Sequence, residues 1–262
     1  MTRALDRTRA RYEPYAPAYK RHWAPVLRGL AQPLLRALEI DRRARVVDLG
    51  CGPGVISAAL ARRSGSVIGV DPTIGMLRLI PPSVRALGGE GERIPLNDAS
   101  TDVVVTTFML QHAPRTGAVF REIARVLTPG GVVATATWGA GTAEAGGPYD
   151  VAARELDRAR APHVPAVKTW HAKVDSPQKM SRHARRAGLE PVRAWTESLE
   201  WQWTEDHFMA WMTAARIYTA RLDALEASER RRALERIARG VARLSADAMT
   251  WRPEVVYLIA RR

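Results

Sequence analysis

Three glycines at alternate positions, Gly50, Gly52 and Gly54, come directly after a mainly apolar run over 45–49. The run predicts a buried strand, and the residues behind the glycines predict a helix over 53–63. Glycine leaves room where a backbone passes close to a ligand, and it allows a positive φ. The pattern therefore predicts a ligand-binding turn between a strand and a helix.

Two features narrow the class of ligand. Asp71 ends the next apolar run, over 67–70, about twenty positions after the turn, which suits a carboxylate that binds a ribose diol. Val55 stands where a dinucleotide-binding G-x-G-x-x-G motif needs its third glycine. A phosphate-binding G-x-x-x-x-G-K-[ST] sequence is absent. The glycine spacing, G-x-G-x-G, therefore matches neither of these motifs.

The stretch from Asp48 to Gly54 resembles the first motif of class I S-adenosylmethionine-dependent methyltransferases, which is an acidic residue, an apolar residue and G-x-G-x-G. Residues 90–96 are similar to that family's D-A-E-x-L-P-F segment. Residues 102–114 resemble its fourth strand and strand exit, and 121–131 resemble the helix and turn before its fifth strand. The resemblance covers residues 40–138.

This resemblance implies S-adenosylmethionine as the methyl donor and S-adenosylhomocysteine as a product. Asp71 would hold the ribose, the glycine turn would admit the methionine moiety, and Glu90 would approach the adenine. In related enzymes an N-terminal helical segment closes over the cofactor, and its tyrosines could bind the methionine end. The predicted cofactor-binding residues are Tyr15, Tyr19, Asp48, Gly50, Cys51, Gly52, Gly54, Asp71, Pro72, Met76, Glu90, Gly91, Glu92, Thr107, Phe108 and Met109.

Methyl transfer from a sulfonium has a neutral leaving group, so catalysis rests mainly on positioning, which contributes about 7–11 kcal/mol in well-oriented reactions. A general base helps only when the acceptor must lose a proton. His112, after the predicted fourth strand, is the candidate base; its alternative role is to hold the strand exit. The predicted substrate contacts are His22, Trp23, Trp138 and Trp211, for which packing roles stay open. The histidine spacing matches no metal-binding motif, so no metal is predicted.

The predicted acceptor is an O, N or C atom of a small metabolite. The net charge of +13 would suit an RNA or an anionic small substrate, but the arginines are scattered along the chain. The fourth-strand exit has neither a Pro-Cys nucleophile nor an Asn/Asp-Pro-Pro-aromatic tetrad, which nucleic-acid methyltransferases would need there. Two alternatives stay open: an RNA or protein methyltransferase that uses the basic surface, and a non-methylating cofactor-binding protein or cyclase on the same fold.

Strands and helices alternate over 45–138, which predicts a doubly wound, mostly parallel, Rossmann-like sheet. Two further predicted strands, over 191–203 and 254–260, bring the sheet to seven strands, and the resemblance implies an antiparallel edge. The expected organisation is a helical lid over 1–40, a cofactor-binding core over 41–138, and a sheet-completing part over 139–262 with substrate-covering helices. These parts are expected to form one compact domain.

The later part of the chain predicts one continuous strand over 191–203, whose three tryptophans share a face, and helices over 205–225 and 228–244. The single cysteine excludes a disulfide framework. No apolar run approaches the ~20 residues of a membrane helix, and we find no secretion signal, so a cytoplasmic location is expected. A small-molecule substrate is the expected partner, without nucleic acid or membrane, and the chain could be a monomer or a homodimer.

Overall fold

The computed structural model describes residues 9–10, 12–142, 146–163 and 169–262, except for the side chains of 216 and 217. The predicted lid and the predicted C-terminal part therefore both lie partly outside the described residues. The strands are β1 (Arg45–Leu49), β2 (Ser66–Asp71), β3 (Arg85–Gly88), β4 (Thr101–Thr107), β5 (Leu127–Trp138), β6 (Glu190–Ser198), β7 (Trp201–Gln202), β8 (Thr250–Trp251) and β9 (Glu254–Arg261).

Seven of these strands form one sheet in the order β3-β2-β1-β4-β5-β9-β6. Strands β1 to β5 pair in parallel, whereas β9 runs antiparallel to both β5 and β6. The antiparallel strand thus lies one position inside the edge, and β6 is the edge strand. This mostly parallel seven-stranded sheet, with helices around it, confirms the predicted fold class.

Both faces of the sheet are covered, which explains why consecutive apolar residues occupy the middle of its central strands. Val46, Val103 and Val105 belong to one buried cluster, and the alternate residues Val47 and Val104 belong to another. Successive side chains of a strand point to opposite faces, so each central strand supplies both cores. The ends of β1, β2 and β4 are consequently fixed at one edge of the sheet.

The helices are α1 (Ala16–His22), α2 (Ala24–Leu30), α3 (Gln32–Ala37), α4 (Val55–Ala61), α5 (Ile74–Leu77), α6 (Thr116–Val126), α7 (Gly147–Arg158), α8 (Pro177–Arg186), α9 (Glu205–Ala214), α10 (Arg216–Asp223) and α11 (Ala227–Val241). Prolines occupy the first turns of α1, α2 and α3, where the missing N–H has no helical partner to lose. Among the described helices, none combines the length and the apolarity that a membrane crossing requires.

Two predicted elements of the later part are wrong. The predicted strand over 191–203 breaks after Ser198, and β7 pairs with β8 in a separate two-stranded sheet. The ladder between β6 and β9 ends at the pair Ser198 and Glu254, because the preceding Pro253 has no N–H to donate. The predicted helix over 205–225 breaks at Ala215, whose backbone is extended with φ −76° and ψ 123°.

The turn between β1 and α4 rests on Gly54, which has φ +79°. A Cβ on Gly54 would lie 2.8 Å from Cδ of Pro81, closer than ordinary van der Waals contact. Gly130 has the same φ of +79°, but a Cβ there would meet no heavy atom within 4 Å. A side chain at Gly130 would therefore cause backbone strain alone, whereas a side chain at Gly54 would cause both strain and crowding.

We expect Gly130→Ala to lower the free energy of unfolding by about 1–2 kcal/mol, the cost of a left-handed conformation for an L-residue. Gly54→Ala should lower it by about 1–3 kcal/mol more, because the added methyl group displaces Pro81 or the turn. Urea unfolding of both variants beside the wild type measures the difference. Equal losses would contradict the tight packing of this turn.

Candidate functional site

A cleft opens where β1, β2 and β4 end. It contains about 940 Å³ of empty space, part of which is open solvent at its mouth. Its lining residues are Tyr12, Tyr19, Leu49, Gly50, Gly52, Asp71, Pro72, Thr73, Met76, Gly89, Glu90, Gly91, Glu92, Thr107, Phe108, Met109, His112, Ala113, Pro114 and Val119. They come from the N-terminal segment and from the segments that follow four strands.

Most predicted cofactor-binding residues line this cleft, and four do not. The residues in the lining are Tyr19, Gly50, Gly52, Asp71, Pro72, Met76, Glu90, Gly91, Glu92, Thr107, Phe108 and Met109. Tyr15 lines a second, neighbouring cavity instead. Asp48, Cys51 and Gly54 belong to the strand end and turn behind the cleft wall, so they act on a ligand only by shaping that wall.

Asp71 connects the glycine turn with the segment after β2. Its Oδ2 accepts a hydrogen bond from the N–H of Gly52 at 3.0 Å, and its Oδ1 accepts one from the N–H of Thr73 at 2.8 Å. Burial raises the pKa of Asp71, while these N–H groups and the nearby Arg9 oppose the rise. The carboxyl group is thus held in one orientation on the cleft wall.

Gly52 provides the space that a ligand needs in front of this carboxylate. It has φ +53°, and a Cβ on it would approach only the ring of Tyr19, at 3.9 Å, in the whole described structure. Any side chain at this position would therefore project toward the cleft. The structure therefore leaves an open space beside a carboxylate that is held in one orientation.

Asp48 lies buried beneath the turn, with 1% of its surface exposed. The hydroxyl of Ser57 donates to its Oδ2 at 2.5 Å, whereas its Oδ1 has no hydrogen-bond partner within the described part of the chain. Burial raises the pKa of Asp48 to about 7; the Ser57 hydrogen bond lowers it, and the charge of Asp71 raises it. A buried acidic group with a raised pKa thus lies directly under the candidate ligand site.

The two glutamates of the cleft have different surroundings. Glu90 lies 3.9 Å from the guanidinium of Arg9 and keeps about a third of its side chain exposed. The carboxylate of Glu92 accepts hydrogen bonds from the backbone N–H and Nε of Arg115, at 2.9 and 2.7 Å. Glu92 therefore fixes the start of α6, whereas Glu90 offers its carboxylate to the cleft.

The N-terminal segment is tied across the cleft by polar contacts with the segment after β2. Nε of Arg9 donates to the carbonyl of Pro72 at 2.9 Å, and the N–H of Gly75 donates to Oε1 of Glu13, also at 2.9 Å. Lys20 donates to the carbonyl of Leu79 at 2.6 Å. Tyr12 and Tyr19, which come between these contacts in the chain, are thereby held in the lining of the cleft.

A second cavity adjoins the cleft and is mainly aromatic. Its lining residues are Tyr12, Tyr15, Tyr19, Trp23, Leu27, Phe108, Gln111, His112, Trp138, Thr142, Thr169, His171, Trp211, Ala215 and Trp251. The rings contact one another, with centroids 4.4 Å apart for Phe108 and Trp138 and 5.4 Å apart for Trp23 and Trp211. No aspartate, glutamate, lysine or arginine occurs in this lining, as far as the described residues extend.

Three of the predicted substrate residues, Trp23, Trp138 and Trp211, line the aromatic cavity, and the candidate base His112 lines both the cavity and the cleft. His22 lines neither space. Its carbonyl accepts a hydrogen bond from Nε2 of His207 at 3.0 Å, and burial lowers the pKa of its imidazole. The structure therefore gives His22 a packing position.

Several lining residues are absent from the sequence-based prediction. Tyr12 belongs to the same three- and four-residue aromatic pattern as Tyr15 and Tyr19, and this signal was sufficient to include it. Gln111 stands beside His112 but carries no motif. Trp251 comes from the short strand β8, whose place in the fold no local pattern reveals. Within the described residues, no cluster of three or more His, Cys, Asp or Glu side chains offers a metal site.

Residues 47–135 match the family model described as a methyltransferase domain. This match confirms the predicted resemblance to class I S-adenosylmethionine-dependent methyltransferases over that part of the chain. The matched residues include the end of β1, the glycine turn, β2 and β4, and they therefore contain most of the cleft.

Curated relatives match part of this chain over part of their own length. A demethylmenaquinone methyltransferase of Corynebacterium kroppenstedtii is 39% identical over 88 residues, which cover 33% of this chain and 38% of that protein. A malonyl-[acyl-carrier protein] O-methyltransferase of Pseudescherichia vulneris is 32% identical over 130 residues, covering 48% of this chain and 51% of that protein. The chain thus spans about half the length of these relatives or less.

A solved structure from Thermotoga maritima, described as a S-adenosylmethionine-dependent methyltransferase and possible histamine N-methyltransferase, has a TM-score of 0.58 with 16% identity. The match covers 97% of this chain and 98% of that chain. At this identity the likeness shows the fold alone.

The replacement Asp48→Asn tests the burial of the acid under the methyltransferase turn. Because the pKa of Asp48 is raised to about 7, the folded chain binds more protons than the unfolded chain between about pH 4 and 7. The contribution of Asp48 to the free energy of unfolding therefore falls as the pH rises through that window. We expect the stability of wild type relative to the variant to fall by about 3 kcal/mol from about pH 5 to 8.

Urea unfolding at the two pH values measures this shift. Asp102→Asn is the control, because hydrogen bonds from Arg45 lower the pKa of Asp102 to about 2. That carboxyl group is ionised in folded and unfolded chains throughout the tested range, so its contribution stays constant there. A constant difference for Asp48→Asn as well would contradict the buried acid.

Proposed function

We propose that this protein transfers a methyl group from S-adenosylmethionine to an uncharged, largely aromatic small molecule. The cofactor binds in the cleft, and the acceptor binds in the aromatic cavity. The observation that carries this proposal is the junction of the two spaces. Tyr12, Tyr19, Phe108 and His112 line both of them, so ligands in the two spaces meet at these side chains.

The lining of the aromatic cavity supports the polarity of the acceptor. Its tryptophans and tyrosines offer aromatic faces beside uncharged polar side chains such as Gln111 and His171, which favours a flat, neutral molecule. The net charge of +13 comes from residues elsewhere in the chain, because none of the described lining residues of this cavity is an arginine or a lysine. A cavity lined by aromatic side chains without basic residues also suits a small acceptor better than an RNA, which needs a basic track along its backbone.

The chain's own residues would position the reactants and exclude water. When bound, the cofactor supplies an electrophilic methyl group on a sulfonium. Asp71 accepts hydrogen bonds from the ribose, Gly52 leaves room for the methionine part, and Glu90 lies toward the base. Tyr12 and Tyr19 cover the junction from the N-terminal segment. This arrangement holds the two ligands in line, which is the main catalytic requirement of the reaction.

We expect Asp71→Asn to weaken binding of S-adenosylhomocysteine by about 10- to 100-fold, because a charge-assisted hydrogen bond to the ribose is lost. Isothermal titration calorimetry measures the affinity. Asp175→Asn is the control, since its carboxylate pairs with Lys179 at 2.6 Å on α8 and lies outside the cleft lining. Unchanged affinity in Asp71→Asn would refute this cofactor site.

Trp23→Ala should weaken the binding of an aromatic ligand in the second cavity without affecting the binding of the cofactor. The probe is 2-naphthol, titrated into the protein loaded with S-adenosylhomocysteine. We expect its affinity to fall at least about tenfold, or about 1.4 kcal/mol. Trp195→Ala is the matched control, because Trp195 is also half-buried but stacks on Tyr257 at 4.9 Å and does not line the cavity. Equal losses in both variants, or no binding of 2-naphthol to the wild type, would contradict the acceptor site.

A further inference from the structure

A short segment over 170–175 is tied to the chain that follows β4. The N–H of Trp170 donates to the carbonyl of Gln111 at 2.8 Å. The ammonium group of Lys173 donates to the carbonyl of Pro114, also at 2.8 Å. These hydrogen bonds hold the segment in a fixed position beside the exit of β4.

The same segment is tied to the exit of β5. The N–H of Ala140 donates to the carbonyl of Asp175 at 3.2 Å, and Nε2 of His171 lies 3.0 Å from the carbonyl oxygen of Trp138. A carbonyl oxygen only accepts, so Nε2 of His171 carries the proton in this hydrogen bond. In a neutral imidazole the other nitrogen, Nδ1, then has a lone pair and no proton.

His171 is half-buried and lines the aromatic cavity. The described part of the chain gives its Nδ1 no hydrogen-bond partner. The orientation of the ring follows from the bond to Trp138 and from the ties on either side of the segment. The imidazole thus keeps one hydrogen-bond acceptor that no described group of the protein uses.

Two other polar side chains of the cavity lining already have partners within the chain. Nε2 of Gln111 donates to the carbonyl of Phe108 at 2.6 Å, and its Oε1 accepts from the hydroxyl of Thr137 at 3.3 Å. The φ of Phe108, +54°, gives that carbonyl its direction. The hydroxyl of Thr142 donates to the carbonyl of Glu254 at 2.5 Å and accepts from the N–H of the same residue at 3.0 Å. Both side chains are therefore oriented by the protein itself.

We propose that His171 is a specificity-determining residue, whose Nδ1 faces the aromatic cavity and accepts a hydrogen bond from an N–H or O–H group of the methyl acceptor. This inference rests on the proposed function and narrows its substrate class. The methyl acceptor is an aromatic molecule that carries such a donor in addition to the atom that receives the methyl group. A molecule without the donor leaves Nδ1 unpaired beside an apolar ring, which weakens its binding. His171 takes no proton in this arrangement, since it only selects and orients the methyl acceptor.

Two variants of His171 separate the roles of its two nitrogens. In His171→Gln the amide nitrogen replaces Nε2 and can still donate to the carbonyl of Trp138, but no acceptor stands at the position of Nδ1. In His171→Asn the shorter amide reaches only as far as Nδ1, so its oxygen can accept there while the bond to Trp138 is lost. The first variant therefore removes the proposed contact with the ligand, and the second removes the contact within the chain.

The probes are 2,7-dihydroxynaphthalene, which has a hydroxyl group at each end, and 2,7-dimethylnaphthalene, which has the same shape and no donor. Isothermal titration calorimetry at about pH 8, where imidazoles are ordinarily neutral, measures their affinities for the protein loaded with S-adenosylhomocysteine. We expect His171→Gln to weaken the binding of the dihydroxy compound about tenfold and to change that of the dimethyl compound less than about twofold. His171→Asn should keep most of the affinity for the dihydroxy compound. Because each probe is compared with itself across variants, the difference in hydrophobicity between the probes cancels.

His163→Gln is the matched control, because 84% of that side chain is exposed and it does not line the cavity. It should change the affinity for neither probe. Equal losses for both probes in His171→Gln would give His171 a purely structural role and overturn the proposal, as would an unchanged affinity for the dihydroxy compound. Failure of the wild type to bind S-adenosylhomocysteine, or to bind either probe, would instead contradict the proposed function and this inference with it, so the two failures are distinguishable.

Discussion

The hydrogen bond from the Gly52 N–H to the carboxylate of Asp71 joins the ends of β1 and β2 at 3.0 Å. It depends on the parallel pairing of these strands, which places Leu49 beside Val70. It also depends on a residue without a side chain, since a Cβ would enter the cleft. The carboxylate and the turn are therefore held together. They form one wall of the cleft, at the edge of the sheet where β1 and β2 end.

The rest of the site is added to this wall by separate parts of the chain. The exit of β4 brings Phe108, Gln111 and His112 to the junction of the cleft with the aromatic cavity. The N-terminal segment covers the same junction with Tyr12 and Tyr19. The outer wall comes from Trp211 and Trp251, far along the chain. The cleft and the aromatic cavity thus draw on different regions of the chain: the domain match ends at residue 135, whereas the lining of the aromatic cavity extends beyond it.

The sequence predicted the core well because its signals there are local. The strand over 45–49, the glycine turn and Asp71 lie within one strand–helix–strand unit, and their spacing alone indicates a nucleoside site. Beyond residue 138 the outcome depended on tertiary contacts. The end of β6 depends on Pro253 of a distant segment, and the break at Ala215 carries neither glycine nor proline. The role of Trp251 in the cavity likewise appears only when β8 pairs with β7.

Gln111 shows the same limit on a smaller scale. The sequence shows that position 111 is a glutamine but not how its side chain is oriented. That orientation follows from the carbonyl of Phe108 and from the hydroxyl of Thr137, which lies on another strand. The positive φ of Phe108 that aims this carbonyl had no local signal, since phenylalanine rarely adopts it. The orientation of a side chain such as this one therefore requires the three-dimensional structure, even where the fold does not.

A crystal structure with bound S-adenosylhomocysteine tests the account most directly. We predict the ribose hydroxyls at the carboxylate of Asp71, the adenine toward Glu90, and the sulfur at the junction formed by Tyr12, Tyr19, Phe108 and His112, facing the aromatic cavity. A ligand in the cleft whose sulfur points away from that cavity, or a ligand bound elsewhere, would contradict the central claim that the two spaces form one methyl-transfer site.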